Sequence, residues 1–196
     1  MFNGKHISIE GMDGVGKSTI CKMLAERLNF EFVEKPLRFL FDSEGNYDSY
    51  IRIRDYVNSR DDRLFTSWFY GLGCTYLYDR YQGRNIITDR HLISNYMWSG
   101  TEESEPVFRT LVERLGAPSL TVILYADPEV IRKRLIGRDL TDSDLKKVQL
   151  SETVYRKARS FLEKYPMPYI YIDTGEMTPE EICDRIVAET KRLGVI

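Results

Sequence analysis

The chain has 196 residues, of which 42% are apolar and 30% are charged, with a formal net charge of −2 at pH 7. This length can bury one sizeable core, and we expect a single domain over residues 1–196. The near-neutral charge gives no reason to expect nucleic-acid binding. The longest apolar run, residues 120–126, is too short to span a bilayer, so we expect no membrane segment.

The first predicted unit is a strand, a glycine-rich loop and a helix. Residues 6–9 alternate as a strand does, and apolar residues recur at helical spacing from Ile20 to Leu28. The stretch between them, Gly11-Met12-Asp13-Gly14-Val15-Gly16-Lys17-Ser18-Thr19, fits G-x-x-x-x-G-K-[ST], the phosphate-binding loop of nucleoside-triphosphate enzymes. Its glycines let successive N–H groups point at a polyphosphate. Lys17 supplies a charge for the β- and γ-phosphates, and the Ser18 hydroxyl is a candidate Mg²⁺ ligand.

Strands and helices alternate along the rest of the chain. Further strands are predicted at residues 30–34, 85–88, 120–125 and 169–172. Helices are predicted at residues 50–58, 63–81, 92–98 and 107–115, after Asp127-Pro128, as one long helix over 145–165, and after a capping box at Thr178 with a core face of Ile182, Ile186, Thr190 and Leu193. Residues 37–46 indicate a loop or a short irregular piece. This order predicts an α/β fold with a mainly parallel five-stranded sheet flanked by helices, in three layers.

Ligands of such sheets bind beyond the carboxyl ends of the strands, where the glycine loop and Asp89 both lie. Asp89 can hold Mg²⁺ opposite Ser18, and Arg90 beside it can contact a phosphate. Asp127 also ends a strand, but helix capping before Pro128 explains it fully, so we favour Asp89 as the metal ligand.

Two acidic residues at the loop admit more than one interpretation. Asp13 is either an exposed turn residue next to Gly14 or a residue that faces away from the triphosphate and accepts a hydrogen bond from a second substrate, such as a sugar hydroxyl. Glu10, at the end of the first strand, is a weaker candidate for orienting water or the loop.

Basic residues cluster in the helix after Asp127, at Arg132, Lys133, Arg134 and Arg138. One interpretation is a solvated helix face. The other is a flexible basic lid over the phosphate site, at about residues 134–148, because Arg134 and Arg138 share a face and an acidic break follows at residues 139–144. Such a lid would neutralise charge and exclude water during phosphoryl transfer.

These motifs resemble those of the thymidylate kinase family of P-loop nucleoside monophosphate kinases. The family's loop, E-G-x-D-x-x-G-K-[ST], fits residues 10–18, and its signature D-R-[YH]-x-x-S-x-x-[AY]-[YW]-x-G is similar to residues 89–100. A strand, D-P-E-V and an arginine-bearing lid match residues 120–138. The resemblance implies a P-loop kinase fold with a helical lid. It also implies ATP- and Mg²⁺-dependent phosphorylation of a deoxynucleoside monophosphate, dTMP to dTDP, in nucleotide biosynthesis.

The resemblance also implies residue roles. Asp13 would contact the acceptor deoxyribose, Arg90 the phosphate at the transfer point and Arg134 the ATP base, while Arg138 would stabilise the moving phosphoryl group. Catalysis would rest on Lys17, Arg90, Arg138 and Asp13. Nucleotide binding would involve Gly11, Asp13, Gly14, Val15, Gly16, Lys17, Ser18, Thr19 and Arg134. The acceptor would bind at Asp13, Glu34, Lys35, Arg38, Phe69, Arg90, Ser94 and Trp98. The metal would bind at Ser18 and Asp89. The partners would be small nucleotides and, as is common in the family, a second copy of the chain.

The sequence departs from the family in its acceptor half. Glu34-Lys35-Pro36 stands where the family has Arg-Glu-Pro, and residues 64–70 lack the helix arginine that holds the acceptor phosphate. Lys35 and Arg38 are candidate substitutes. The aromatic residues Trp68, Phe69 and Tyr70 are either core or a stacking surface for a base. A deoxynucleoside kinase with Glu34 as base, and a non-catalytic P-loop protein, remain alternatives.

Three cysteines, far apart and without a C-x-x-C pair, favour free thiols and a cytoplasmic location. The only two histidines make a histidine-based metal site implausible.

Overall fold

The computed structural model describes residues 2–42 and 46–196. Its centre is a parallel sheet with the strand order β2-β3-β1-β4-β5. The five strands are β1 (His6–Glu10), β2 (Glu31–Glu34), β3 (Ile86–Asp89), β4 (Leu120–Tyr125) and β5 (Tyr169–Asp173). The predicted α/β fold with a five-stranded sheet is therefore confirmed, and the sheet is parallel throughout.

Helices connect and flank the strands. They are α1 (Lys17–Leu28), α2 (Arg38–Phe41), α3 (Asp48–Asn58), α4 (Arg63–Arg80), α5 (Leu92–Ser99), α6 (Glu105–Leu115), α7 (Pro128–Arg138), α8 (Ser151–Lys164) and α9 (Pro179–Arg192), with a 3-10 helix at Ser143–Leu150. The Asp127 cap of α7 and the capping box of α9 are confirmed.

Three predictions need correction. The long helix predicted over residues 145–165 is interrupted, because the 3-10 helix ends at Leu150 and α8 begins at Ser151. The segment predicted as a loop at residues 37–46 contains α2, while its residues 43–45 lie outside the described part of the chain. Leu193 follows the end of α9 and is 36% exposed, so it does not share that helix's core face.

The core lies on both faces of the sheet. Apolar side chains of β1, β3 and β4, such as Ile7, Ile87 and Val122, are fully buried, as expected of parallel strands covered by helices. Because β1 and β3 run in register, with Ile9 opposite Asp89, their carboxyl ends meet at one edge. The glycine loop and the Asp89-Arg90 pair leave the sheet there.

Among residues 2–42 and 46–196, no helix combines the length and the apolar character needed to cross a membrane. The three cysteines are buried and free, as predicted.

Candidate active site

The glycine-rich loop joins β1 to α1 in a conformation that its glycines permit. Gly11, Gly14 and Gly16 have φ values of 136°, 86° and 91°, in the left-handed region that other residues avoid. A Cβ added at Gly11 would lie 2.3 Å from the carbonyl oxygen of Leu124, so no larger residue fits there. Gly16 directly precedes the first turn of α1, whose free N–H groups favour anions.

Tyr155 of α8 fixes this loop from the opposite side. Its hydroxyl donates to the Leu124 carbonyl oxygen at 2.8 Å and accepts from the Met12 N–H at 3.2 Å. Residue 155 lies in the long helix predicted over residues 145–165, but helical spacing gives no signal for a hydroxyl that ties the loop to β4.

Lys17 is held inside the loop. Its side chain is 5% exposed, and Nζ donates to the Met12 carbonyl oxygen at 2.7 Å and lies 3.8 Å from Asp13 Oδ1. Burial, followed by the repulsion of Arg90, lowers the pKa of Lys17 to about 8. Burial therefore disfavours the charged form of Lys17, and a bound anion would stabilise it.

The structure separates the two candidate metal-binding acids. Asp89 accepts a hydrogen bond from the Ser18 hydroxyl at 2.6 Å through Oδ2, while its Oδ1 is buried without a hydrogen-bond partner among the described residues. Asp127 instead accepts the Glu129 N–H at 2.8 Å as the cap of α7. A hydroxyl beside a carboxylate with a free oxygen is a donor set that fits Mg²⁺.

Asp13 joins the loop to the Asp-Arg motif. Its Oδ1 accepts from Arg90 at 2.6 Å, and Arg90 also donates to the Gly11 carbonyl oxygen at 3.1 Å. A third cation, Lys147, lies 3.9 Å from Asp13 Oδ2. Burial alone would raise the pKa of Asp13, but Arg90, Lys17 and Lys147 together hold this pKa well below its usual value. Asp13 therefore lies in a turn, but its side chain is only 28% exposed and is surrounded by cations.

Glu10 has a structural role that the sequence did not reveal. Its side chain is buried, and one oxygen accepts the N–H groups of His91 and Ser94 at 3.2 Å and 3.0 Å. Its other oxygen accepts the Ser8 hydroxyl at 2.6 Å. Glu10 thus caps the first turn of α5 from β1. Ser94 itself lines the cleft, with its hydroxyl buried and without a hydrogen-bond partner among the described residues.

The predicted lid arginines are held by the protein itself. Arg138 is paired with Asp142, which follows α7, and with Asp144 in the 3-10 helix Ser143–Leu150. Arg134 donates to Thr174, at 2.9 Å to the hydroxyl and 2.5 Å to the carbonyl oxygen. Both arginines line the cleft, and Arg134 is fixed to its wall beside β5.

On the acceptor side, Glu34 and Lys35 line the same cleft. Glu34 accepts the Tyr47 hydroxyl at 3.0 Å and lies 3.7 Å from Lys35 Nζ. Lys35 has a φ of 46°, an unusual backbone conformation for a lysine.

Two predicted acceptor residues lie outside the cleft wall. The Arg38 guanidinium stacks on the rings of Phe39 and Tyr47, at 4.4 Å and 4.6 Å from their centroids. Phe69 is 8% exposed and packs in a small core cluster with Leu37, so it is core rather than a stacking surface.

The phosphate loop, the Asp89-Arg90 pair, the two lid arginines and Glu34 line one cleft of about 1060 Å³. Trp98, a predicted acceptor residue, lies on its wall, and Trp68 is 50% exposed outside it. Tyr70, one of the three aromatic candidates, also lines the cleft. Other lining side chains were not singled out from the sequence, among them Tyr50, Arg54, Arg63, Asn95 and Lys147.

The site combines three features: a loop whose glycines have left-handed backbone angles at the start of a helix, an enclosed lysine, and a hydroxyl–carboxylate pair at a strand end. Together these features define a P-loop phosphotransferase. The AAA domain family AAA_18 matches residues 7–155, and the chain belongs to this family.

Named relatives confirm the resemblance to nucleoside monophosphate kinases. A Thermococcus onnurineus protein with a provisional adenylate kinase name is 25% identical, covering 97% of this chain and 89% of its own. A Methanococcus maripaludis protein with a provisional thymidylate kinase name is 26% identical, covering 93% of both chains. The YorR protein of Bacillus subtilis, solved in complex with phosphorylated GDP, shares the fold at a TM-score of 0.57 and 22% identity, over 96% of this chain and 98% of that one.

Proposed function

We propose that this chain transfers the γ-phosphoryl group of ATP to a deoxynucleoside monophosphate, dTMP, in a reaction that requires Mg²⁺. The observation that carries the proposal is the 2.6 Å contact between Arg90 and Asp13. Through this contact and its bond to Gly11, Arg90 of the signature at residues 89–100, the proposed acceptor motif, lies against the phosphate loop. Donor and acceptor phosphates would therefore meet beside these two side chains, in a cleft rich in cations.

The donor is held by the loop. Its N–H groups and Lys17 would bind the β- and γ-phosphates, with Lys17 leaving the Met12 carbonyl oxygen for the ligand. Ser18 and Asp89 would hold the metal, consistent with the free, buried Oδ1 of Asp89. Bound Mg²⁺ would neutralise charge on the two terminal phosphates and fix their orientation.

Transfer needs positioning and charge more than covalent help. An oxygen of the acceptor phosphate attacks the γ-phosphorus, the bond to the β–γ bridging oxygen breaks, and ADP leaves with the electron pair. Arg138 would exchange Asp142 and Asp144 for the γ-phosphate, since a carboxylate pair and a phosphate compete for the same guanidinium. Closure of this segment would also exclude water.

Three features favour a monophosphate acceptor of the deoxy series. Arg54 and Arg63, from α3 and α4, line the cleft and supply cations although α4 lacks the family's arginine. Apolar side chains such as Val33 and Leu77 form part of the wall, where a methylated base could pack. Asp13 fits the family position associated with deoxyribose.

Glu34 favours a second candidate, phosphorylation of a nucleoside 5′-hydroxyl. Its side chain lines the cleft and stands opposite Asp89 in the register of β2 and β3. A hydroxyl acceptor needs a base to take its proton, whereas a monophosphate does not. Glu34, however, already accepts the Tyr47 hydroxyl and faces Lys35.

The test is ADP release from ATP and Mg²⁺ with dTMP, AMP, dCMP, thymidine and deoxycytidine as acceptors. We expect the highest kcat/KM with dTMP and none above background with nucleosides. Highest activity with AMP would show that the acceptor base is adenine rather than thymine. Activity on nucleosides alone, lost in Glu34→Gln, would show that the chain is a nucleoside kinase with Glu34 as base. The Lys17→Ala variant controls for contaminating kinases, because it should be inactive with every acceptor.

A further inference from the structure

A chain of alternating charges connects the lid to the acceptor motif. Arg138 pairs with Asp144, and Asp144 accepts from Lys147 Nζ at 2.6 Å. Lys147 lies 3.9 Å from Asp13, which in turn holds Arg90 at 2.6 Å. All five side chains line the same cleft.

Lys147 is the member of this network that contacts the phosphate loop from the 3-10 helix, which also carries Asp144. It belongs to the 3-10 helix Ser143–Leu150, and its Nζ also lies 5.7 Å from the centroid of the Trp98 ring. A single ammonium thus contacts a lid carboxylate, a loop carboxylate and an aromatic face of α5. Without it, Asp144 and Asp13 would be two like charges in one cleft, with no cation from this segment between them.

We propose that Lys147 is a positioning residue for phosphoryl transfer: it latches the segment that carries Arg138 onto Asp13 of the phosphate loop. This inference rests on the proposed kinase function. The latch aligns the lid arginine with Arg90, so that both guanidinium groups act on the same transferring group. Lys147 touches neither reacting atom and acts through Asp13 and Asp144.

The latch is accessible enough to be sensitive to salt. The side chains of Lys147, Asp144 and Asp13 are 46%, 19% and 28% exposed. Pairs of this exposure are screened by ions and are individually weak. Losing both pairs in Lys147→Ala should lower kcat about tenfold, with a smaller change in the KM for ATP.

The experiment compares Lys147→Ala with Lys146→Ala, an exposed neighbour that forms no salt bridge within residues 2–42 and 46–196. We expect the tenfold loss of kcat only in Lys147→Ala, substantial rescue by Lys147→Arg, and a salt-dependent kcat that becomes flat in Lys147→Ala. The ratio of acceptor-independent ATP hydrolysis to transfer should rise as the lid excludes water less well. A kcat within twofold of wild type, or an equal loss in Lys146→Ala, would overturn the latch.

A second measurement separates this inference from the proposed function. Hydrogen exchange over residues 139–150 is measured in the free protein and with ATP and Mg²⁺, without any acceptor. Faster exchange in Lys147→Ala than in Lys146→Ala supports the latch, and equal exchange refutes it. If wild type phosphorylates nucleosides rather than monophosphates, the proposed acceptor fails while both comparisons, made with the true acceptor, still decide the role of Lys147.

Discussion

Replacing Glu10 tests how the acceptor motif is held in place. The Glu10 carboxylate is buried and accepts the N–H groups of His91 and Ser94 in the first turn of α5. In Glu10→Ala both donors lose their acceptor where no side chain of α5 replaces it. In Glu10→Gln the amide oxygen can still accept both N–H groups, and the amide nitrogen can donate to the Ser8 hydroxyl.

The two substitutions should therefore differ in free energy of unfolding. A buried N–H group without an acceptor costs ~1–3 kcal/mol, and Glu10→Ala leaves two such groups. Removing the buried carboxylate also removes its desolvation penalty, so the expected net loss of unfolding free energy is about 3 kcal/mol. Glu10→Gln loses only the favourable interaction of the charge with the helix N-terminus, about 1 kcal/mol. For a chain of this length these losses correspond to shifts of roughly 6–12 °C and 2–4 °C in Tm.

Urea unfolding and thermal melts measure both losses, with Glu26→Ala as an exposed glutamate control expected within about 0.5 kcal/mol of wild type. If Glu10→Ala and Glu10→Gln were equally stable, the two N–H groups would not need this acceptor. The reasoning would also fail if the alanine variant lost under 1 kcal/mol.

Three further predictions concern the donor side. Asp89→Ala should lower turnover by at least about 10² and raise the Mg²⁺ concentration needed, while Asp127→Ala should cost only about 1 kcal/mol of stability; equal turnover in both variants would remove Asp89 from the metal site. Because the pKa of Lys17 is about 8, kcat/KM for ATP should fall as the pH rises through 8 and the ammonium is lost; the Lys17→Arg variant, measured over the same range, should show no fall near pH 8. Arg138→Ala should lower kcat by orders of magnitude, unlike Lys133→Ala on the same helix, and unchanged turnover would take the lid out of the mechanism.

The donor half could be predicted because its residues are contiguous. Gly11 to Ser18 and Asp89-Arg90 are short runs at strand ends, and parallel strands bring their carboxyl ends together. Capping of α7 by Asp127 is equally local. Sequence spacing is therefore sufficient wherever the contact partner is a few residues away or at a corresponding strand end.

The rest depends on contacts between distant residues. Tyr155 and Lys147 contact the loop from α8 and the 3-10 helix, more than 130 positions further along the chain. The spacing of apolar residues does not indicate which distant group the polar end of a side chain contacts. Phe69 and Arg38, two predicted acceptor residues, do not line the cleft, because residue type alone did not decide their place. An aromatic residue suits a core as well as a base-binding wall, and a guanidinium can stack on rings as readily as bind phosphate.

Asp13 explains why the two halves of the cleft should respond together. Its carboxylate is shared by Lys17, Arg90 and Lys147, one cation each from the loop, the acceptor motif and the lid segment. When Lys17 binds a triphosphate, its electrostatic interaction with Asp13 weakens. The Asp13 carboxylate would then bind Arg90 and Lys147 more strongly. Binding of ATP would thereby strengthen the contacts of Asp13 with Arg90 and with Lys147. The lid would then be closed before the acceptor binds, which would protect ATP from water.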